Sequence, residues 1–174
     1  MAEPRRVLII VAPYYEHISN MLIEGATAAL EAADCEIHIR EVPGALEIPI
    51  AIRIALESDA FDGFIALGCV IRGETSHYET VTNDSSRGLM TLGTDWGTPI
   101  GNGILTVENE AQAIVRADPQ QKNKGADAAA ACIALMEMRE EIIGEEEELA
   151  VRQPTFLPDS EHIDIANSGS TKTA

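Results

Sequence analysis

The residues best suited to chemistry lie together in one stretch, 68–79, with the sequence GCVIRGETSHYE. An apolar run precedes this stretch and a helix-like segment follows it, which predicts a turn between a strand and a helix. Backbone N–H groups at such a turn are free to bind an anion. His77 lies within a turn of them and can transfer protons near neutral pH. The combination favours chemistry on a small phosphorylated substrate.

The residue types of this loop leave a second interpretation open. Gly73 permits close approach of the backbone to a ligand. Thr75 can cap the following helix or donate a hydrogen bond to a phosphate oxygen. A capped helix start with an exposed histidine would use the same residues. With Arg72 and His77 beside them, the two interpretations are about equally supported, so the spacing alone does not decide between them.

Apolar runs and helical spacing predict an alternation of strands and helices along the chain. The predicted strands are 6–12, 35–42, 61–71 and 99–107, and the predicted helices are 17–33, from about 48, 76–93, 109–116 and 124–143. This alternation favours the α/β class, with a four-stranded parallel sheet in a three-layer α/β/α sandwich. Ligands of such sheets bind beyond the carboxyl ends of the strands. The turns expected at that edge are 13–17, 43–47, 70–77 and 106–109.

Two periodicities compete in the segment 46–56. Its apolar residues alternate strictly, which is typical of a strand, yet several of them also fit one face of a helix. Pro49 decides between the two, because a proline inside a central strand removes a ladder hydrogen bond, while in a first helical turn it costs little. We therefore predict a helix from about residue 48.

Composition limits the possible partners and the compartment. The 174 residues carry a formal net charge of −17, which argues against nucleic acid or an anionic membrane as a partner. No apolar run approaches the roughly 20 residues of a membrane span, and the N-terminus lacks the layout of a secretory signal. The widely spaced cysteines indicate reduced thiols in a cytoplasmic protein. An anionic substrate then requires a local positive pocket.

The chain is expected to form one folded domain, 1–144, followed by a tail, 145–174. The tail begins with an acidic run and continues into a segment rich in Ser, Thr and Pro. Such a composition is typical of a flexible segment. The histidines show no metal-ligand spacing, so no metal site is predicted.

Several motifs resemble the lumazine synthase family from about residue 7 to residue 144. They are VPGALEIP at 42–49, GCVIRGETSHYE at 68–79, GILTVENEAQA at 103–113, and Arg116 followed by NKGAD at 123–127. The resemblance implies a flavodoxin-like sandwich. It also implies condensation of 5-amino-6-(D-ribitylamino)uracil with L-3,4-dihydroxy-2-butanone 4-phosphate to give 6,7-dimethyl-8-ribityllumazine, the penultimate step of riboflavin biosynthesis. No cofactor is implied. The implied assembly is a pentamer, or a multiple of pentamers, with active sites between neighbouring subunits.

The same resemblance implies roles for individual residues. His77 matches the family's proton-transfer histidine, and Arg116 matches the arginine that binds the substrate phosphate from an adjacent subunit. A guanidinium suits a phosphate because it can donate two parallel hydrogen bonds. Tyr14 matches an aromatic residue stacked on the pyrimidine ring. The remaining matches are Gly73, Glu74 and Thr75 in the phosphate loop, Leu46 and Glu47 over the ring and ribityl chain, Val70 and Ile71 at the pocket edge, and Lys124 and Asp127 at weaker positions.

The chain departs from the family pattern at three places. Asn102 occupies a position where the family often has a hydrophobic residue that presses on the ring from the next subunit. Tyr15 replaces a common asparagine, and the loop 117–125 lacks the glycine-rich form of many shell-forming members. These differences bear on substrate affinity and on assembly into a shell.

Functions of other classes remain as alternatives. A module that binds a flavin or pterin-like ligand without turnover would share the fold, and so would a scaffold of assembled pentamers. A flavodoxin proper is disfavoured because 11–17 lacks a hydroxyl-rich phosphate loop. A phospho-receiver domain is disfavoured because 68–73 offers no aspartate. The sequence GNG at 101–103 precedes strand residues, so it does not indicate a dinucleotide site.

Overall fold

A computed structural model describes residues 3–152 of the chain, with side chains described for 3–144. Strands and helices alternate strictly up to the last two helices. In chain order they are β1 Arg6–Val11, α1 Glu16–Ala32, β2 Glu36–Glu41, α2 Glu47–Ala55, β3 Gly63–Ile71, α3 His77–Trp96, β4 Ile100–Val107, α4 Glu110–Ala117 and α5 Lys124–Arg152. One turn of 3-10 helix, Leu56–Ser58, follows α2.

The strands form one parallel sheet in the order β2-β1-β3-β4. Helices α1, α4 and α5 pack on one face of the sheet, and α2 and α3 pack on the other. The predicted flavodoxin-like α/β/α sandwich with a four-stranded parallel sheet is therefore confirmed. All strand ends that precede a helix lie at one edge, which is where the turns were expected.

The central strands β1 and β3 are buried on both faces, which explains their nearly unbroken apolar sequences. Along β1, Val7 and Ile9 pack toward α1 and α5, while Leu8 and Ile10 pack toward α2. The edge strands differ from them. Most of β2 is exposed, and β4 alternates between buried and more exposed residues. The core therefore consists of two apolar layers, one on each side of the sheet.

The ambiguous segment is a helix, as Pro49 predicted. Pro49 is the third residue of α2, where an N–H group would have no partner within the helix. Its ring is buried against α3, so closely that a Cβ atom at Gly88 would lie 2.9 Å from it. Ile48 and Ile52 are fully buried, whereas Ile50 and Ile54 are exposed. One face of the helix thus contacts the sheet, and the strict alternation of apolar residues was misleading.

The predicted end of the last helix was wrong. Helix α5 continues past residue 143 and through Gly144 to Arg152. A glycine within a helix costs only about 1 kcal/mol, and the glutamates that follow are good helix formers. The segment predicted as a tail, 145–174, lies outside the described residues except for the backbone of 145–152, which belongs to α5.

Glycines allow α5 to approach both the sheet and α1 closely. A Cβ atom at Gly125 would overlap the carbonyl oxygen of Leu22 in α1. A Cβ atom at Gly101 in β4 would overlap the carbonyl oxygen of Ala128 in α5. The first glycine of the GNG sequence is therefore explained by helix packing, in agreement with the view that it is no dinucleotide motif.

Candidate active site

The turns after β1, β2 and β3 enclose a cavity of about 410 Å³ at the carboxyl edge of the sheet. It is lined by Ala12, Tyr14, Tyr15, Pro43, Gly44, Ala45, Leu46, Glu47, Cys69, Val70, Ile71, His77 and Val81. Of the residues predicted for the site, six lie together here: Tyr14, Leu46, Glu47, Val70, Ile71 and His77. The rule for parallel sheets therefore predicted correctly that these six residues lie near one another.

Two tyrosines from the turn after β1 form one wall of the cavity. The Tyr14 side chain is 76% exposed and lies edge-on to Tyr15, with 5.0 Å between ring centroids. Tyr15 is half-buried, and burial raises the pKa of its phenol. Tyr14 is thus the ring that a planar ligand can contact, while Tyr15 supports it from the core side.

The start of α2 forms the opposite wall. Leu46 is half-buried, and Glu47, the first residue of the helix, is exposed. A carboxylate is favourable there because the amino end of a helix carries partial positive charge. The side chain also presents two strong acceptors to the cavity, which suits a ligand with hydroxyl groups.

The end of β3 forms the floor. Cys69 is buried, and Val70 and Ile71 are half-buried. Burial raises the pKa of the Cys69 thiol to about 11, so the sulfur is protonated and weakly nucleophilic at neutral pH. The floor therefore contributes shape and apolar contact.

His77 is the first residue of α3, and its side chain lines the cavity. Val81 lies four residues later on the same face of the helix and completes this wall. The imidazole is exposed and has no hydrogen-bond partner among the residues whose side chains are described. It is the one imidazole that lines the cavity, and it can exchange protons with a ligand directly.

The loop between β3 and α3 presents a cluster of available N–H groups. Within the described part of the chain, no protein oxygen accepts a hydrogen bond from the amides of residues 73–76. The His77 amide donates to Thr75 Oγ1 at 3.4 Å, and the Ser76 side chain does not cap the helix. Free amides at a helix start, with a hydroxyl among them, form a suitable site for a phosphate.

Three predicted site residues lie on other surfaces of the same chain. Arg116 is half-buried near the end of α4, where Nη1 donates to the Gln112 carbonyl at 3.0 Å. Lys124 starts α5 and pairs with Asp127 at 2.6 Å. Asn102 lines a different groove, between α3, β4 and α5. The structure of one chain therefore does not bring these residues to the cavity.

No lysine or arginine is among the residues that line the cavity. Arg72 follows β3 directly, but its guanidinium forms ion pairs with Glu79 and Glu108. These carboxylates raise the pKa of the Arg72 guanidinium, and Arg72 in turn lowers the pKa of the Glu79 carboxyl. Within one chain, an anion bound at this loop would meet backbone amides rather than a free cation.

Sequence reasoning left several lining residues out of the predicted site. Ala12, Pro43 and Ala45 complete the turns, and Cys69 precedes two residues that were predicted. Val81 could have been found from its spacing of four residues after His77. The engagement of Arg72 by two carboxylates had no local signal, because Glu108 lies far along the chain.

Two searches concern the described residues as a whole. Within 3–152, no helix is long and apolar enough to span a bilayer. In the same range, no group of three or more His, Cys, Asp or Glu side chains is arranged to hold a metal ion.

Comparison with known proteins gives a consistent result. A family model described as 6,7-dimethyl-8-ribityllumazine synthase matches residues 4–140. A protein of that name from Novosphingobium aromaticivorans is 56% identical over 135 residues, which cover 78% of this chain and 96% of the relative. One from Zymomonas mobilis is 55% identical over 137 residues, covering 79% and 98%. One from Erythrobacter litoralis is 54% identical over 135 residues, covering 78% and 96%.

Proposed function

This chain belongs to the 6,7-dimethyl-8-ribityllumazine synthase family, and we propose that the cavity at the carboxyl edge of its sheet is where it acts. The enzyme is a transferase of riboflavin biosynthesis that catalyses the penultimate step. It condenses 5-amino-6-(D-ribitylamino)uracil with L-3,4-dihydroxy-2-butanone 4-phosphate. The products are 6,7-dimethyl-8-ribityllumazine, phosphate and water.

The observation that carries this proposal is the position of His77 beside the free amides of 73–76. The substrate phosphate binds to Gly73, Glu74 and Thr75, which places the ketone carbon near the imidazole. His77 then moves protons while the amine adds to the ketone with loss of water, the phosphate is eliminated, and the ribitylamino nitrogen closes the ring with loss of a second water. Because the phosphate is the leaving group, the donors that bind it also stabilise the charge that develops on it.

The pyrimidine substrate occupies the remainder of the cavity. Its ring lies against Tyr14, with Leu46 and the residues Val70 and Ile71 at its edges. Glu47 accepts hydrogen bonds from the ribityl hydroxyls, for which an ionised carboxylate is a strong acceptor. The amine and the ketone are thereby held next to each other. Such positioning can be worth ~7–11 kcal/mol of the activation barrier.

A cation for the phosphate has to come from elsewhere, since none lines the cavity. We propose a homo-oligomer, a pentamer or a multiple of pentamers, in which Arg116 of a neighbouring subunit reaches the phosphate and Asn102 of a neighbour faces the ring. Lys124 is less suited to bind the phosphate, because Asp127 already pairs with it. Exposed apolar side chains at Met90, Trp96 and Leu135 support an interface on this side of the chain.

The protein is proposed to work in the cytoplasm. Its three cysteines all lie within the described residues and none is in a disulfide. Reduced thiols are usual in a reducing compartment. Mild oxidation followed by mass spectrometry would test how well they are protected.

The direct test of the proposed site is the appearance of lumazine absorbance when the purified protein is mixed with both substrates. We expect a rate well above that of the uncatalysed mixture, and a large loss when Thr75→Val and Gly73→Val are introduced together. Equal activity in this loop variant would show that the phosphate binds elsewhere. Tight flavin binding without turnover would favour the alternative of a binding module.

A further inference from the structure

Arg72 connects three segments around the proposed active site. Its Nη1 atom donates to the Glu79 carboxylate, and Nε lies 2.9 Å from Glu108 Oε2. Its guanidinium carbon lies 4.1 Å from the centre of the Tyr78 ring. Its backbone N–H donates to the Val107 carbonyl at 2.9 Å. The end of β3, the first turn of α3 and the end of β4 thus meet at one side chain.

These contacts place Arg72 next to the catalytic groups without exposing it to the cavity. Tyr78 and Glu79 directly follow His77 in α3, so whatever fixes them also fixes the orientation of that first turn. The loop 73–76 lies between Arg72 and His77. Arg72 does not line the cavity, whereas His77 does. The guanidinium therefore contacts α3 just after the loop, and it does so without lining the cavity.

We propose that Arg72 is a positioning residue: it holds the loop 73–76 and His77 in place and does not bind the substrate phosphate. This inference rests on the function proposed for the site. Two carboxylates already surround the guanidinium, so a phosphate would have to displace Glu79 or Glu108 to reach it. Single exposed ion pairs contribute little to stability. Two ion pairs and a contact with the Tyr78 ring, however, together fix the orientation of the planar Arg72 guanidinium.

The geometry requires an arginine. A guanidinium is planar, donates in several directions at once and stacks on aromatic rings, whereas an ammonium is a compact point charge. Lysine at position 72 could pair with one carboxylate but could not join Glu79, Glu108 and Tyr78 together. We therefore expect Arg72→Lys to resemble Arg72→Met rather than the wild type.

The test compares Arg72→Met and Arg72→Lys with a matched control, Arg87→Met. Arg87 is an exposed arginine of α3 that pairs with Asp84 at 2.6 Å. For both Arg72 variants we expect a roughly tenfold rise in KM for the butanone phosphate and weaker binding of inorganic phosphate, because a small misplacement is costly at a binding site. The KM for the pyrimidine amine should change less than twofold. Hydrogen exchange of the bonded amides in the first turns of α3, beginning with Thr80, should accelerate, and the control should change none of these values.

Removing the carboxylates distinguishes positioning from direct phosphate binding. If Arg72 only positions the loop, Glu79→Gln and Glu108→Gln weaken phosphate binding in the same way as Arg72→Met. If either substitution tightens phosphate binding, the guanidinium has been released toward the ligand and the proposal is overturned. Unchanged phosphate affinity and amide exchange in Arg72→Met would also overturn it. Phosphate affinity and amide exchange, unlike the KM values, do not depend on turnover, so absence of lumazine formation in the wild type would count against the proposed function alone.

Discussion

His77 and the loop 73–76, which we propose to bind the phosphate, have different tasks in the proposed mechanism, and their expected contributions differ in size. A placed acid–base group supplies ~10²–10⁴-fold in rate. Condensation of an amine with a ketone already proceeds in water, so proton transfer is not the main obstacle. Holding two substrates in register removes a larger part of the barrier. At the scale of single residues, groups that bind phosphate are thus expected to matter more than the histidine.

His77→Ala should slow the enzyme by about 10²-fold without abolishing turnover, and Arg116→Ala should reduce kcat/KM further by releasing the phosphate. Steady-state rates of both variants measure this. His17→Ala is the matched control, since His17 is an exposed histidine that pairs with Glu110 at 2.8 Å outside the cavity. A completely inactive His77→Ala protein with intact assembly would contradict the ranking.

Glu47→Gln should raise the KM for the pyrimidine amine roughly tenfold, about 1.4 kcal/mol, because hydrogen bonds to an ionised acceptor are stronger than those to an amide. The KM for the butanone phosphate should not change. Substrate-saturation curves for each substrate separate the two effects. Glu24→Gln, on the exposed side of α1, serves as the control. Equal rises in both KM values would mean that Glu47 supports the whole cavity rather than one ligand.

At the scale of elements, the packing of α5 against α1 depends on the absence of a side chain at Gly125. The same helix contains a second glycine, Gly144, where a Cβ atom would lie within 4 Å of no described neighbour. The pair therefore separates the two effects of a glycine-to-alanine change, which are steric overlap and helix propensity.

Gly125→Ala should destabilise the protein by about 1–3 kcal/mol, because the new methyl group forces α1 and α5 apart. Gly144→Ala should instead stabilise it slightly, by up to ~1 kcal/mol. Denaturant unfolding of the two variants measures the difference. A Gly125→Ala protein as stable as the wild type would show that the helices can separate at no cost.

A second contact of α5 holds the amino terminus of the chain and depends on pH. Arg5 Nε and Nη2 both lie 2.8 Å from carboxylate oxygens of Glu140. This hydrogen-bonded pair lowers the pKa of the Glu140 carboxyl. A carboxyl with a lowered pKa stabilises the fold above its ordinary titration range, and this contribution is lost as the pH falls through that range and below it.

The melting temperature of the wild type should therefore exceed that of Glu140→Gln at pH 7, and the two should converge below the ordinary glutamate pKa of about 4.3. Thermal unfolding at pH 7 and at about pH 3 measures the difference. Glu141 is an exposed neighbour in α5, and Glu141→Gln should melt at about the same temperature as the wild type at both pH values. A pH-independent difference would mean that Glu140 acts through packing rather than through its charge.

Elements and strand-end residues were predictable from sequence because each depends on local chemistry. Pro49 distinguished helix from strand, and the parallel sheet brought Tyr14, Leu46 and His77 to one edge. The end of α5 was not predictable, because one glycine is too weak a signal to stop a long helix. The partners of Arg72 were not predictable either, since side-chain pairing between distant segments depends on tertiary structure.

At the scale of the whole molecule, the chain has a cavity that no lysine or arginine lines and, on another surface, Arg116, whose guanidinium donates to the Gln112 carbonyl. Oligomers in which a surface of one subunit meets a different surface of the next form closed rings when the rotation between subunits closes. In such a ring, each cavity can receive Arg116 from a neighbour. The formal charge of −17 makes such a local cation more important for an anionic substrate.

Mixing two impaired variants tests this arrangement. His77→Ala and Arg116→Ala subunits, dissociated together and reassembled, should reach up to about one quarter of wild-type activity, because random rings contain that fraction of intact pairs of neighbours. Each variant treated alone should keep its own low rate. If both residues act within one chain, the mixture stays at the level of the separate variants, and the shared site is excluded.

The position of strand β4 also matters for a subunit that has folded but not yet assembled. It lies at a free edge of the sheet, and the Oδ1 atom of Asn102 accepts the N–H of Ile104 at 3.0 Å. Unpaired edge groups are templates for uncontrolled strand addition and aggregation. Here a donor on this edge is already occupied by the chain's own carboxamide. Asn102 thus leaves one donor fewer on this edge for an incoming strand.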